Sequence, residues 1–447
     1  MKGLALALSV MWLVWPGQAW TDGAAASGPS SPATAASQPW GPFSKQGTTN
    51  LQAVMTLARK APPLPKADGK VMRVSDAAGL RKAVTSAEAG TTILLADGRY
   101  RIERLVIRRD RLSLRGESGD RNKVVLDGGG RLTRIVVIEG GKDLLFADLT
   151  VANSMEYGIF FYGDAGSQRL KVYNVKFQNC LTRGLKGTDA AKVRDSWTRK
   201  HPPEKAQQLR PTGGQVRYCL FVNDRASPRL DLYHGDYIGG IDIMSAKDWT
   251  VADNVFVDIR GQRGGGRGAI FFWVNGENVT VERNLIINCD RGICFGNPAT
   301  PLGTQWHVTG GIIRNNFIAG GASEGIEVSR AKDVLVAHNT IWMRRPKERA
   351  VRFHVATPGC RLVNNLIRGS VESPGENKGQ GNIVGELDGW FKRPQTGDLH
   401  LTDKASQAAG KAKPLGEVRQ DFDGQKRQTQ PNAGADEAER ERGRVSR

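Results

Sequence analysis

A short apolar burst led by an asparagine recurs through the second half of this chain, and it limits the possible folds more than any other feature. "DNVF", "RNLI", "NNFI", "HNTI" and "NNLI" put Asn254, Asn284, Asn316, Asn339 and Asn365 in one slot, at steps of 30, 32, 23 and 26 residues. "YNVKF" and "YCLF" extend the series upstream with Asn174 and Cys219. After every slot but the last comes a second burst: "RGLKG", "GGIDI", "RGAIFF", "RGICF", "EGIEV" and "RAVRF", with "YGIFF" serving an earlier copy. Within the bursts apolar residues alternate with period two, and Gly, Asn and Asp separate them, which is a pattern of brief strands rather than amphipathic helices. Units repeated at this length bury their apolar faces only against their neighbours. Three short strands and three turns per unit, with asparagine at one turn, predict an all-β fold: a single-stranded right-handed parallel β-helix, a solenoid whose asparagine amides bond up the stack. Adjacent coils would lie about 4.8 Å apart.

The solenoid is expected to span 69–437, opening at "VMRVSDAAGLRKAV", where a helix N-capped by Ser75 or Asp76 would cap the N-terminal end. Residues 1–19 have one lysine, an apolar run and small residues at Gly17 and Ala19, the form of a secretory signal. Residues 20–68 are rich in Ala, Ser and Pro and read as a linker or disordered lead. Residues 438–447 read as a disordered tail. No later stretch has the length and apolarity of a membrane span. A secreted or periplasmic monomer is expected. The five cysteines lack metal-finger spacing; most read as buried apolar residues, with one disulfide pair at most.

Formal charge is +19. Between Arg183 and Arg217 nine Lys/Arg face three Asp/Glu. On an exported protein this excess points to an acidic polysaccharide or an anionic cell surface rather than nucleic acid, or serves solubility alone.

With the residue after each glycine taken as inward, alternation makes an outward ladder of Phe160, Lys186, Asp242, Ile270, Cys294, Glu327 and Arg352. Two residues on it reads Tyr162, Thr188, Met244, Phe272, Gly296, Ser329 and His354, with Trp273 outward instead if the register slips by one. Lys186 with Asp242, and Glu327 with Arg352, read most simply as cross-strand ion pairs. Insertions at 187–215 and Arg260–Gly268 flank the coil of Asp242 and place a groove there. Lys186, Arg260, Arg263, Trp273, Glu327, Arg352 and His354 are its candidate substrate-binding residues. Trp249, Trp306 and Trp342 are further candidates for sugar stacking or for packing.

These repeats resemble the pectin-lyase-like superfamily, and more narrowly the exported right-handed parallel β-helix repeat proteins. "IDIMSAKD" is similar to polysaccharide lyase family six, the chondroitinase B and alginate lyase group, in which an acidic Ca²⁺ ligand stands five residues before a lysine base. That resemblance implies Asp242 as a Ca²⁺ ligand, Lys247 as base and Arg267 as the catalytic arginine, acting by β-elimination on a uronate-containing polysaccharide. A turn lysine is the competing reading of Lys247, because "AKD" recurs at Ala331-Lys332-Asp333 and "GKD" at Gly141-Lys142-Asp143. A non-catalytic carbohydrate-binding or cell-surface protein, or a glycoside hydrolase or C5-epimerase, are the alternative functions.

Overall fold

The computed structural model describes residues 49–193, 200–225, 230–301, 303–373 and 379–437. The expected signal, most of the linker and the tail lie outside these residues. Three long parallel sheets run the length of the solenoid, and each complete coil gives one strand to each. Sheet I has eleven strands, from Val71–Val74 to Arg361–Val363; sheet II has eleven, from Gly98–Arg101 to Ile383–Gly385; sheet III has ten, from Leu105–Ile107 to Ser370–Glu372. One coil runs Thr250–Ala252 in sheet I, a turn at Asn254, Val255–Val257 in sheet II, then Gly268–Trp273 in sheet III. The coils form a right-handed parallel β-helix.

The turn from sheet I to sheet II carries the asparagine column. Asn254 donates through Nδ2 to Asn284 Oδ1 at 2.9 Å, Asn284 to Asn316 at 3.0 Å, Asn316 to Asn339 at 2.9 Å, Asn339 to Asn365 at 3.0 Å and Asn365 to Asn382 at 2.9 Å. Each Oδ1 also accepts the preceding slot's backbone N–H, so a buried donor that no strand can satisfy is paired. Cys219 stands in the column, its N–H bonded to Asn254 Oδ1. Asn174 does not. Strand pairing aligns Lys176 with Leu220 and Leu220 with Val255, which puts Val175 in the slot and Asn174 one residue earlier, at the left-handed position that Asp253 also occupies. The local pattern "YNVKF" hides the shift because asparagine suits both positions.

The interior is filled by inward residues stacked coil on coil. Phe177, Phe221 and Phe256 stack at 4.6 Å per step. Phe161 lies parallel to Trp249 at 5.9 Å, and its ring fills the space where Gly187 would carry a Cβ, 2.2 Å away. Trp249 is therefore core, not a sugar platform. Helix α1 spans Leu51–Met55 and α2 Ala77–Ser86. Asp76 N-caps α2, accepting from Gly79 N–H at 2.7 Å, and Leu80, Ala83 and Val84 cover the open end of the first coil. Residues 49–65, inside the stretch expected as a linker, hold to the solenoid by side-chain bonds: Thr49 to Asp258, Arg59 to Asp253, Tyr173 to Pro62 O. Val54 and the C-terminal Phe391, Leu399, Leu401 and Phe422 bury the outer face of sheet II. All five cysteines are buried and none is in a disulfide.

Candidate functional site

The outer face of sheet III carries the expected ladder with one register correction. Lys186 pairs with Asp242 and Asp242 with Phe271, followed by Cys294, Glu327 and Arg352. Ile270 and Phe272 point inward, and Phe271 and Trp273 outward. The cause is "GAIFFW", apolar at every position, so alternation could not be read from it.

Asp242 lies at the centre of a buried ion cluster. Its Oδ1 accepts from Lys186 Nζ at 2.7 Å and from Trp273 Nε1 at 2.9 Å, and its Oδ2 from Arg183 Nε at 2.9 Å. Arg183 is 0 % and Asp242 1 % exposed, so water contributes little to their solvation. Desolvation alone would raise the Asp242 pKa; Lys186 and Arg183 outweigh it and hold the carboxylate below its ordinary range. Arg183 reaches Asp242 across Gly239, where a Cβ would approach its Cδ and Nε to 3.3 Å. "RGLKG" opposite "GGIDI", a long cation facing paired glycines, was the sequence signal for this contact.

A divalent cation does not fit here. Ca²⁺ gathers about six to eight oxygen ligands, whereas the Asp242 oxygens are taken by an ammonium, a guanidinium and an indole N–H. These three donors occupy the oxygens that the resemblance implies as Ca²⁺ ligands.

Around this cluster lie aromatic side chains and further cations. Arg183 sits 4.3 Å from the Tyr237 ring centroid, and Lys186 5.7 Å from that of Trp273. Arg134 lies 4.1 Å over Phe160 and donates to the Tyr162 hydroxyl at 3.0 Å. Burial, then Tyr237, pushes the Tyr157 phenol well above its ordinary value. Lys192, in the first insertion, is brought down to about 8 by burial, which outweighs Asp189 and is reinforced by the charge of Lys186. The insertion is pinned by Arg210, which donates to Glu277, Ser245 O and Asn275 O, and it contains α3, Pro203–Leu209.

Lys247 lies elsewhere. It stands in the turn from sheet III to sheet I, bridged to Thr212 and Glu277, and Glu277 continues through Thr309 to Lys332 in one column. Its Nζ bonds Glu277 at 2.9 Å. Lys142 bridges to Gln168, Thr212's neighbour one coil back. The three "KD" copies thus share one structural turn. Arg267 lies 4.4 Å over the Tyr233 ring. Arg260 is buried, 3.6 Å from Asp258, while Arg263 is exposed at the loop tip.

Further along the same face a second charged group forms. Glu324 Oε2 accepts from Arg291 Nε at 2.8 Å, and its Oε1 lies 3.2 Å from Arg349 and 3.5 Å from Arg352. Arg352 pairs with Glu324 and Glu372, not with its cross-strand neighbour Glu327. Glu327 is left with Arg291 at 3.6 Å and His354 at 3.9 Å, and burial raises its pKa. Burial acts on Glu324 too, but the arginines and Ser323 overcome it and keep that carboxylate ionised. Glu324, from the turn before the strand, escaped the ladder because turns carry no alternation.

No protein-family model and no curated protein sequence matches the chain. Its structure is similar to that of pectate lyase Pel9A, at 13% identity and TM-score 0.53, over 80% of this chain and 90% of that one. An alginate lyase from Paenibacillus sp. str. FPU-7 aligns at 11% identity and TM-score 0.40, over 68% of this chain and 99% of that one. PfbA, a surface adhesin of Streptococcus pneumoniae, aligns at 9% identity and TM-score 0.38, over 65% and 80%. At such identities what is shared is the parallel β-helix fold.

Proposed function

We propose that this chain is an exported protein that binds an acidic, uronate-containing polysaccharide on the outer face of sheet III and cleaves it by β-elimination. The observation that carries this reading is an excess of cations set among aromatic rings on a rigid sheet. Arg183 and Lys186 outnumber Asp242 by one charge, Arg134 adds another cation, and Tyr157, Tyr162, Tyr237 and Trp273 stand beside them. Positive potential of this kind draws a polyanion and makes the proton on C5 of a uronate more acidic. A lysine near pKa 8 is a competent base. The C5 proton passes to Lys192 Nζ, the C–H electron pair forms the C4–C5 double bond, the C4–O bond breaks, and water protonates the departing oxygen.

Hydrolysis is the second reading, favoured by Glu324 and Glu327, whose environments push their pKa values in opposite directions as an acid and base pair requires. The two are separated by incubating the protein with a panel of uronate polymers, with and without a chelator. Elimination gives ultraviolet-absorbing unsaturated ends that persist in the chelator. Hydrolysis gives new reducing ends without that absorbance, and neither product with retained binding would leave a carbohydrate-binding protein.

A further inference from the structure

On the outer face of sheet II lies a cavity of ≈ 460 Å³. That is within the roughly 300–1,000 Å³ of small-ligand sites. Its floor is Ile287, Ala319 and Gly320 at the end of sheet II, one wall is Thr49 and Asn50, and the opposite wall is the short helical turn Pro394–Thr396. Trp342, Asn288 and Arg344 complete it.

The walls are fixed. Thr49 donates to Asp258 through its N–H at 2.8 Å and its hydroxyl at 2.9 Å. Gly397, just past the turn, sits so close to Ile287 that a Cβ would meet its Cδ1 at 2.3 Å. Asn288 is held by Asp258 and donates to Thr49 Oγ1 at 3.3 Å, and its own Oδ1 accepts from Arg344 Nη2 at 2.6 Å. Arg344 is thus oriented by a neutral amide. Among the described residues it has no carboxylate partner, whereas Arg345 beside it pairs with Glu348. An oriented guanidinium without an acid, next to an indole, two amide side chains and a hydroxyl, matches a carboxylate on a small polyhydroxylated ring. Arginine would take the carboxylate by two parallel N–H bonds, Trp342, whose ring already carries Arg368 5.2 Å from its centroid, would border the ring, and Asn50, Gln395 and Thr396 would take the hydroxyls.

We infer that this cavity is a binding site for a small sugar acid of one or two rings, separate from sheet III and independent of whether that face cleaves anything. Calorimetric titration of the full chain with D-glucuronate, D-galacturonate and neutral D-galactose tests it. One of the uronates is expected to bind at one site per chain, and galactose not at all. Arg344→Gln should weaken binding about tenfold or more, and Gln395→Trp, at an exposed wall position, should abolish it by filling the space. In the unmodified protein the bound uronate should slow hydrogen exchange at Thr49–Leu51 and Gln395–Gly397. No binding of either uronate, equal binding of galactose, or binding that survives both substitutions with no protection at those segments would overturn the inference.

Discussion

Replacing Asp242 with asparagine should loosen the middle of sheet III far more than a single side chain on an outer face ordinarily does. The substitution keeps size and shape and removes one charge. It leaves Arg183 Nε and Lys186 Nζ, both on buried side chains, facing an amide whose own Nδ2 is a donor, so one cation meets a donor where it had an acceptor. Breaking a buried ion cluster by removing one partner costs about 3–5 kcal/mol. Spread over a stack of coils, that loss opens the local strands before the whole chain, because solenoid stability is a sum of neighbour terms. Hydrogen exchange followed by mass spectrometry should therefore show protection of Arg183–Gly187, Gly239–Met244 and Gly268–Trp273 falling by roughly 10²- to 10⁴-fold, with Thr340–Trp342 unchanged. Adding Lys186→Met should restore part of it, since one stranded charge is then gone. The pH dependence has a definite sign. Asp242 is held below its ordinary pKa, so its stabilisation is present above the unfolded value and is lost only as pH falls through the lower folded one. Unchanged protection in Asp242→Asn would refute the view that this carboxylate holds the sheet, and with it the argument against a cation ligand.

Lys247→Ala and Lys332→Ala, in one turn column, should behave alike: each should cost under about 1 kcal/mol in thermal melts, as a part-exposed ion pair does, and each should keep full turnover; loss of turnover in Lys247→Ala alone would make Lys247 the base. His400, whose ring is bonded to Asp398 at 2.6 Å and Asp423 at 3.0 Å, is raised to about 10 because these carboxylates outweigh its burial. A raised histidine stabilises fully below its unfolded pKa and loses that contribution as pH rises toward the folded one. Limited proteolysis of the C-terminal segment should accelerate across that alkaline range in the wild type and show no such pH step in His400→Gln.

What the sequence made legible follows from how local the cause is. The asparagine column could be read because amide-to-amide bonding forces one residue type at one recurring turn, and Asn254 through Asn365 bond as that requires. Lys186 and Asp242 could be placed in contact because alternation and repeat spacing fix both face and neighbour. Lys247 could not be assigned from its spacing to Asp242, since five residues carry the chain round a turn and onto another sheet edge. Lys192, Tyr237 and Glu324 come from turns and an insertion, where no periodicity says which way a side chain points. The cavity on sheet II was out of reach altogether: it joins Thr49, Asn288 and Gln395, brought together only by the terminal segments folding back.

The most direct test of the proposed chemistry is the pH dependence of turnover on a cleaved uronate polymer, followed by the absorbance of its unsaturated ends. If Lys192 takes the C5 proton as the neutral amine, kcat/KM should rise with pH to a plateau with a midpoint at about 8, and Lys192→Met should form no product while still binding polymer. A profile flat through that midpoint, or a Lys192→Met variant that turns over normally, would contradict it.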